Sequence, residues 1–212
     1  MTPFGELISD PARGLVYGNR GCLHDDRGHI RRHHNGRRWI ACRLSFNARR
    51  RAPLMAPGRY TELFFLDEAT AMAAGHRPCG ECRHADYRRF RRLWGEQHGH
   101  GVSADAIDVR LHAERFDPRT AQQRRHVLVY DDLPDGTFVV SGGAPRLVLG
   151  ERLLTWTPEG YAESQPRPHG DPAVVLTPPS VVEVLRAGWD PVVALIHPSA
   201  FAASGRAAGA RE

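Results

Sequence analysis

The sequence contains no lysine. Its 29 basic residues are all arginine, set against 24 acidic residues for a formal net charge of +5 over 212 residues. A GC-rich coding bias accounts for an arginine-only chain that is also rich in Ala, Gly and Pro, so arginine content alone is weak ground for nucleic-acid binding. No apolar run approaches the roughly 20 residues that a membrane span needs. The opening Met1-Thr2-Pro3-Phe4-Gly5-Glu6 lacks the basic and apolar regions of a signal peptide, and a cytoplasmic location is expected. A P-loop, a G-x-S-x-G elbow, a dinucleotide fingerprint and an internal repeat are all missing, which removes the common nucleotide-binding and serine-hydrolase readings. Cysteine is scarce, with four residues: Cys22, Cys42, Cys79 and Cys82.

What is present is unevenly spread. Residues 1–98 hold 18 Arg against 10 acidic residues, a net of +8, whereas residues 99–212 hold 11 against 14, a net of −3. A one-sided field of this kind attracts phosphates and other polyanions. All four cysteines lie in the basic half. In a cytosolic chain disulfides are disfavoured and metal ligation is the better reading, and four thiols are the number that closes one tetrahedral zinc site.

The pattern of residues predicts an α+β fold. Short strands are expected at Leu15–Tyr17, Trp39–Leu44 and Tyr60–Leu66, then a short helix capped by Asp67, running to Ala74 and closed by Gly75. A helix over Ala85–Gln97 is expected to bury Tyr87, Phe90 and Trp94, and another after Ser103 to bury Ile107 and Leu111. Val127–Tyr130, Thr137–Ser141, Arg146–Leu149 and Arg152–Trp156 alternate with turn residues and read as an antiparallel meander. Val174–Leu176 is a further strand, Ser180-Val181-Val182-Glu183 has the capping-box form of a helix start, and Val192–Ile196 is a last apolar run. These elements divide the chain into a basic zinc-binding module at residues 1–100, a β-rich unit at 101–200 and a disordered tail at 201–212.

The segment Gly75-His76-Arg77-Pro78-Cys79-Gly80-Glu81-Cys82-Arg83 carries the most chemistry. Two residues between two thiols let the chain fold back as a knuckle and present both sulfurs to one ion. A redox C-x-x-C expects a strand leading directly into the active-site helix, and here a helix, a glycine and a proline precede the first thiol. Inert buried thiols are the bland alternative.

With Phe64 to Ala74 in front of it, this segment resembles the end of the Ada-type metal-binding domain. That zinc module belongs to DNA-repair proteins that take methyl groups from DNA phosphotriesters. The match covers about residues 15–85 and is most specific over 64–83, with His76 where the family has an aromatic residue. Ile40-Ala41-Cys42-Arg43-Leu44-Ser45-Phe46 is similar to the family's Tyr-Cys-Arg-Pro-Ser-Cys segment. Cys42 then falls on the methyl acceptor, and Phe46 falls where the second cysteine is expected. The resemblance implies a zinc ion held by Cys42, Cys79 and Cys82, with Cys22 as the replacement fourth ligand and His24 as the fallback.

Arg83, Arg88, Arg89, Arg91 and Arg92 follow the knuckle and make a candidate phosphate-binding surface, most simply for DNA, which Arg31-Arg32 and Arg49-Arg50-Arg51 would extend. A solvated helix face is the alternative. Trp39 and Tyr60 are candidates to stack on bases or to sit in the core. His112-Ala113-Glu114 matches half of the zinc-deaminase signature, in the wrong order relative to Pro78-Cys79-Gly80-Glu81-Cys82. The leading expectation is therefore a zinc-binding protein that contacts nucleic acid with the metal mainly structural. The alternatives are a zinc hydrolase or deaminase using His112 and Glu114, an alkyl acceptor at Cys42, and an adaptor for another protein.

Overall fold

Residues 1–47, 53–189 and 197–204 are described by the structure, a computed structural model. Helix α1 (Glu68–Ala73) is short and all six of its residues are buried. Asp67 caps it by accepting the Thr70 N–H at 2.8 Å, and Gly75 leaves it at φ 80°. Its composition follows from its position, because three apolar clusters meet on it. Ala71 and Ala74 face a small sheet, Ala69 and Ala73 face a large one, and Met72 enters a helical cluster. Small side chains let neighbours approach from every side at native packing density.

The small sheet has the order β3-β1-β2-β4, formed by β1 (Val16–Asn19), β2 (Ile40–Cys42), β3 (Leu63–Phe65) and β4 (Arg77–Pro78). β1 pairs antiparallel with both β2 and β3, while β2 runs parallel to β4. The helices α2 (His84–His98) and α3 (Ala104–Arg115) pack Phe90, Leu93, Trp94, Ile107 and Leu111 against Val181, Val184 and Leu185 of α4 (Pro179–Arg186). Tyr87 is only half-buried rather than part of this stripe, since its ring lies over Gly80 and the Arg77 guanidinium. Ser103 caps α3 as expected, accepting from Ala106 N–H at 3.1 Å. Ser180 does not cap α4; its N–H and hydroxyl both donate to Glu114, and α4 begins one residue earlier on Pro179.

A two-stranded hairpin, β5 (Phe116–Asp117) with β6 (Gln122–Gln123), precedes the large sheet. The large sheet has the order β11-β10-β9-β8-β12-β7 and is antiparallel throughout. Its strands are β7 (His126–Val129), β8 (Phe138–Ser141), β9 (Ala144–Leu149), β10 (Arg152–Thr157), β11 (Gly160–Pro166) and β12 (Pro172–Val175). Gly142 and Gly143 both have positive φ, the requirement of the tight turn that joins β8 to β9. The expected meander holds from β8 to β10 and gains β11. β12 returns between β7 and β8, so β7 is not next to β8; Val174 pairs with both Val127 and Val140. The end of the chain was expected to be disordered from residue 201. Instead α5 (Ser199–Ser204) packs Phe201 against the sheet core, and residues 205–212, like Val192–Ile196, lie outside the described residues. No helix among the described residues is long and apolar enough to cross a membrane.

Candidate metal centre

The parallel pairing of β2 with β4 builds the site. Ile40 lies opposite Arg77 and Ala41 opposite Pro78, which sets Cys42 beside Cys79 at the ends of the two strands. The Cys79 N–H donates to the Ala41 carbonyl at 2.9 Å and fixes that register. The knuckle then turns into α2, with the Arg83 N–H donating back to the Cys79 carbonyl at 3.2 Å. The sulfurs of Cys42, Cys79 and Cys82 come to lie within 4.8 Å of one another, and all three residues are buried. Tyr17, Ile40 and Phe46 pack around them.

Backbone donors point at two of the sulfurs. Glu81 N–H donates to Cys79 Sγ at 3.4 Å, and Arg43 N–H donates to Cys82 Sγ at 3.4 Å. Such bonds favour the thiolate, the form that ligates metal. The hydrogen bond from the Cys42 thiol holds the Cys79 thiol down to about 5, despite its burial. Cys42, the donor in that bond, is pushed far above the ordinary thiol range. Burial raises Cys82. Cys79 is thus the first of the three to lose its proton.

The donor set fits zinc. Around a tetrahedral ion with Zn–S bonds of about 2.3 Å, sulfurs lie roughly 3.8 Å apart, a spacing compatible with three sulfurs that all lie within 4.8 Å of one another. Soft anionic ligands in a buried apolar pocket disfavour magnesium and calcium, which take oxygen.

Two buried ion pairs hold the frame. Arg77 forks onto Asp108 of α3, with Nε donating at 2.8 Å and Nη2 at 2.7 Å. Arg83 pairs with Glu68 of α1 at 2.5 Å and with Asp86 at 2.8 Å. The two arginines that flank the knuckle thus tie it to two helices.

The other expected ligands do not join the cluster. Antiparallel pairing sets Tyr17 opposite Cys42 and Asn19 opposite Ile40, so the chain runs away from the sulfurs before it reaches Cys22. The Cys22 thiol instead donates to the His24 carbonyl at 3.5 Å. The His24 ring bonds Thr61 Oγ1 at 2.6 Å and faces the Ala56 carbonyl at 3.3 Å. His112 and Glu114 are also outside the group. The His112 ring nests against His34, Trp39 and Phe116, and Glu114 accepts from Ser180 and Arg110.

The expected arginine surface is also changed. Arg83 is buried in its ion pairs rather than facing solvent. Arg88, Arg89, Arg91 and Arg92 are exposed on α2. Arg89 donates to the Gly188 carbonyl at 2.6 Å, Arg91 to the Val102 carbonyl at 2.8 Å, and Arg92 pairs with Glu96 at 2.5 Å. Trp39 is buried, Tyr60 is exposed, and Arg49-Arg50-Arg51 lie outside the described residues.

The role of Asp108 does have a signal in the sequence. Asp108, Leu111 and Arg115 fall at i, i+3 and i+7 of α3, which places two charges on its buried stripe. Comparison with family models, with curated proteins and with solved structures gives no match.

Proposed function

We propose that this chain is a zinc protein whose Cys42, Cys79 and Cys82 hold one ion that braces the small sheet against α2, and that α2 offers arginines to a nucleic-acid backbone. The convergence of three buried sulfurs from two distant segments carries the first half. The resemblance of residues 64–83 to the Ada-type domain supports it and favours DNA as the partner. Exposed Arg88, Arg91 and Arg92, on the half of the chain with a net charge of +8, support the second half. In this reading the metal is structural, because around the sulfurs themselves the knuckle packs on little more than Tyr17, Ile40 and Phe46.

The test is duplex binding followed against salt. Affinity should fall steeply as salt rises, and Arg88→Ala with Arg92→Ala should lower the log–log slope by about two, one for each lost phosphate contact. Binding that ignores salt, or a slope unchanged by these substitutions, removes the nucleic-acid half.

One observation favours a second reading. Three protein thiols leave one tetrahedral position for water or substrate, the arrangement of catalytic rather than closed zinc sites. With His112 and Glu114 engaged elsewhere, the chemistry that fits is alkyl transfer to a zinc-bound thiolate, with Cys42 as acceptor. The methyl carbon would leave the phosphotriester oxygen for Cys42 Sγ, and a phosphodiester anion would depart. A methyl group on Cys42, located by peptide mass after incubation with methylphosphotriester DNA, supports this reading; an unmodified Cys42 rejects it.

A further inference from the structure

A second constellation lies away from the sulfurs, on the opposite end of β1. Arg20 and Arg115 are among the largest fully buried side chains, and both guanidinium carbons sit 3.9 Å from the centre of the Trp39 ring. Neither has a carboxylate partner among the described residues. Arg20 donates to the neutral ring of His76 at 3.3 Å and to the Gly5 carbonyl at 3.0 Å. Arg115 donates to the carbonyls of Gly75 and Arg37. Arg20 Nη2 and Arg115 Nε are left without an acceptor.

Buried cations without an ion-pair contact are rare because desolvation costs several kcal/mol per ion, and Asp108 and Glu114 act on Arg115 only from beyond that contact. Stacking on Trp39 offsets part of this. Here two such cations border the same cavity, of about 390 Å³, with Arg125 at its rim. Glu6 is the one carboxylate on that wall among the described residues. It is exposed and accepts from Thr2 Oγ1 at 3.4 Å rather than from either arginine. Gln123 lines the same cavity with its amide nitrogen donating to three carbonyls, while its buried Oε1 has no donor.

We propose that this cavity binds a small organic oxyanion, a phosphoryl or carboxylate group that answers Arg20, Arg115 and Arg125, with a neighbouring hydroxyl that donates to Gln123. The site is distinct from the cysteine cluster and does not depend on the metal. The volume is in the range of small-metabolite sites, and the set of orphan donors with one orphan acceptor matches a hydroxylated anion better than a bare ion. Burial draws Arg20 down to about 9, as expected of a cation that lacks its counter-ion.

The experiment is a thermal-shift and calorimetric titration of the full chain, with inorganic phosphate, glycerol 3-phosphate and citrate compared with chloride at equal ionic strength. At least one oxyanion should raise the melting temperature and give saturable heat. Glycerol 3-phosphate above phosphate assigns the phosphoryl class, and citrate above both assigns the carboxylate class. Arg125→Ala, an exposed rim position, should weaken binding about tenfold, the loss of one charge-assisted hydrogen bond. Arg88→Ala, on the separate α2 surface, should leave it unchanged. The Nε–H resonances of Arg20 and Arg115 should shift on saturation. A melting temperature indifferent to all three anions, or equal affinity in Arg125→Ala, overturns the proposal.

Discussion

Removing the Asp108 carboxylate should do more harm than any loss of an exposed ion pair in this chain. Asp108 accepts both arms of the Arg77 fork, and each side chain of the pair is 4% exposed. In Asp108→Ala the guanidinium stays buried. Among the described residues it keeps the Pro78 carbonyl, at 3.2 Å, and the Tyr87 ring, 5.1 Å away. Stranding a buried charge costs about 3–5 kcal/mol. For a chain of this length each kcal/mol lowers the melting point by about 2–4 °C, so a fall of roughly 6–20 °C is expected. Arg77 and Pro78 form β4, directly before Cys79, so zinc affinity should fall with stability. Thermal unfolding by circular dichroism reads the first effect, and chelator competition reads the second. The double variant Arg77→Met/Asp108→Leu removes the pair and leaves no orphan, and should be more stable than Asp108→Ala. A shift under about 2 °C in Asp108→Ala, or a double variant that is the worse of the two, would refute the reasoning.

Other outcomes follow from the same geometry. Gly75→Ala forces a side chain into φ 80° and sets a Cβ 2.3 Å from Arg115 Cδ, so it should cost at least about 2 kcal/mol in urea unfolding; a neutral effect would mean that the turn is misplaced. The buried neutral histidines should weaken the fold in acid, offset in part by Glu68, whose carboxyl burial pushes up to about 7. Burial and Arg20 hold His76 neutral well below 6.5, and burial and Arg115 push His112 down to about 4. Below the unfolded value of 6.5 the unfolded chain takes up protons that the fold refuses, so stability is full above that pH and falls toward 4. The slope should reach at most about 1.4 kcal/mol per pH unit for each histidine, less for half-exposed His112, and His112→Phe should flatten it. Urea midpoints that do not change between pH 7.5 and 5 would contradict this. Finally, Cys22→Ser should keep its metal while Cys79→Ser loses it, as measured by metal content after gel filtration.

The parts of this fold legible in the sequence are those set by neighbours in the chain. Asp67 and Gly75 mark α1, Ser103 starts α3, and Gly142-Gly143 marks a hairpin, because caps and turns act within a few residues. Cys79 and Cys82 were legible for the same reason, as two thiols on one knuckle. Cys42 was a candidate only by the count of thiols and by the resemblance, since it arrives through the parallel pairing of β2 with β4 across more than 30 residues. Pairing register also removes Cys22, and no spacing rule contains register. β12 between β7 and β8 is another such case, a long-range choice that leaves no local mark on Val174. In the sequence the Arg83 side chain looks like a surface cation because its neighbours Arg88 to Arg92 are. The carboxylate of Glu68, on another helix, draws it inside, with Asp86 one turn on as its second partner. His76 shows the converse. It stands where an aromatic residue was expected and behaves as one, neutral and packed against Phe65 and Trp39.

The most direct measurement is the metal content of the purified chain together with its X-ray absorption spectrum at the zinc edge. The account predicts one zinc per chain with three sulfur neighbours at about 2.3 Å and one lighter ligand. A chain that holds no metal, yet keeps its melting temperature in the presence of a strong chelator, would contradict it.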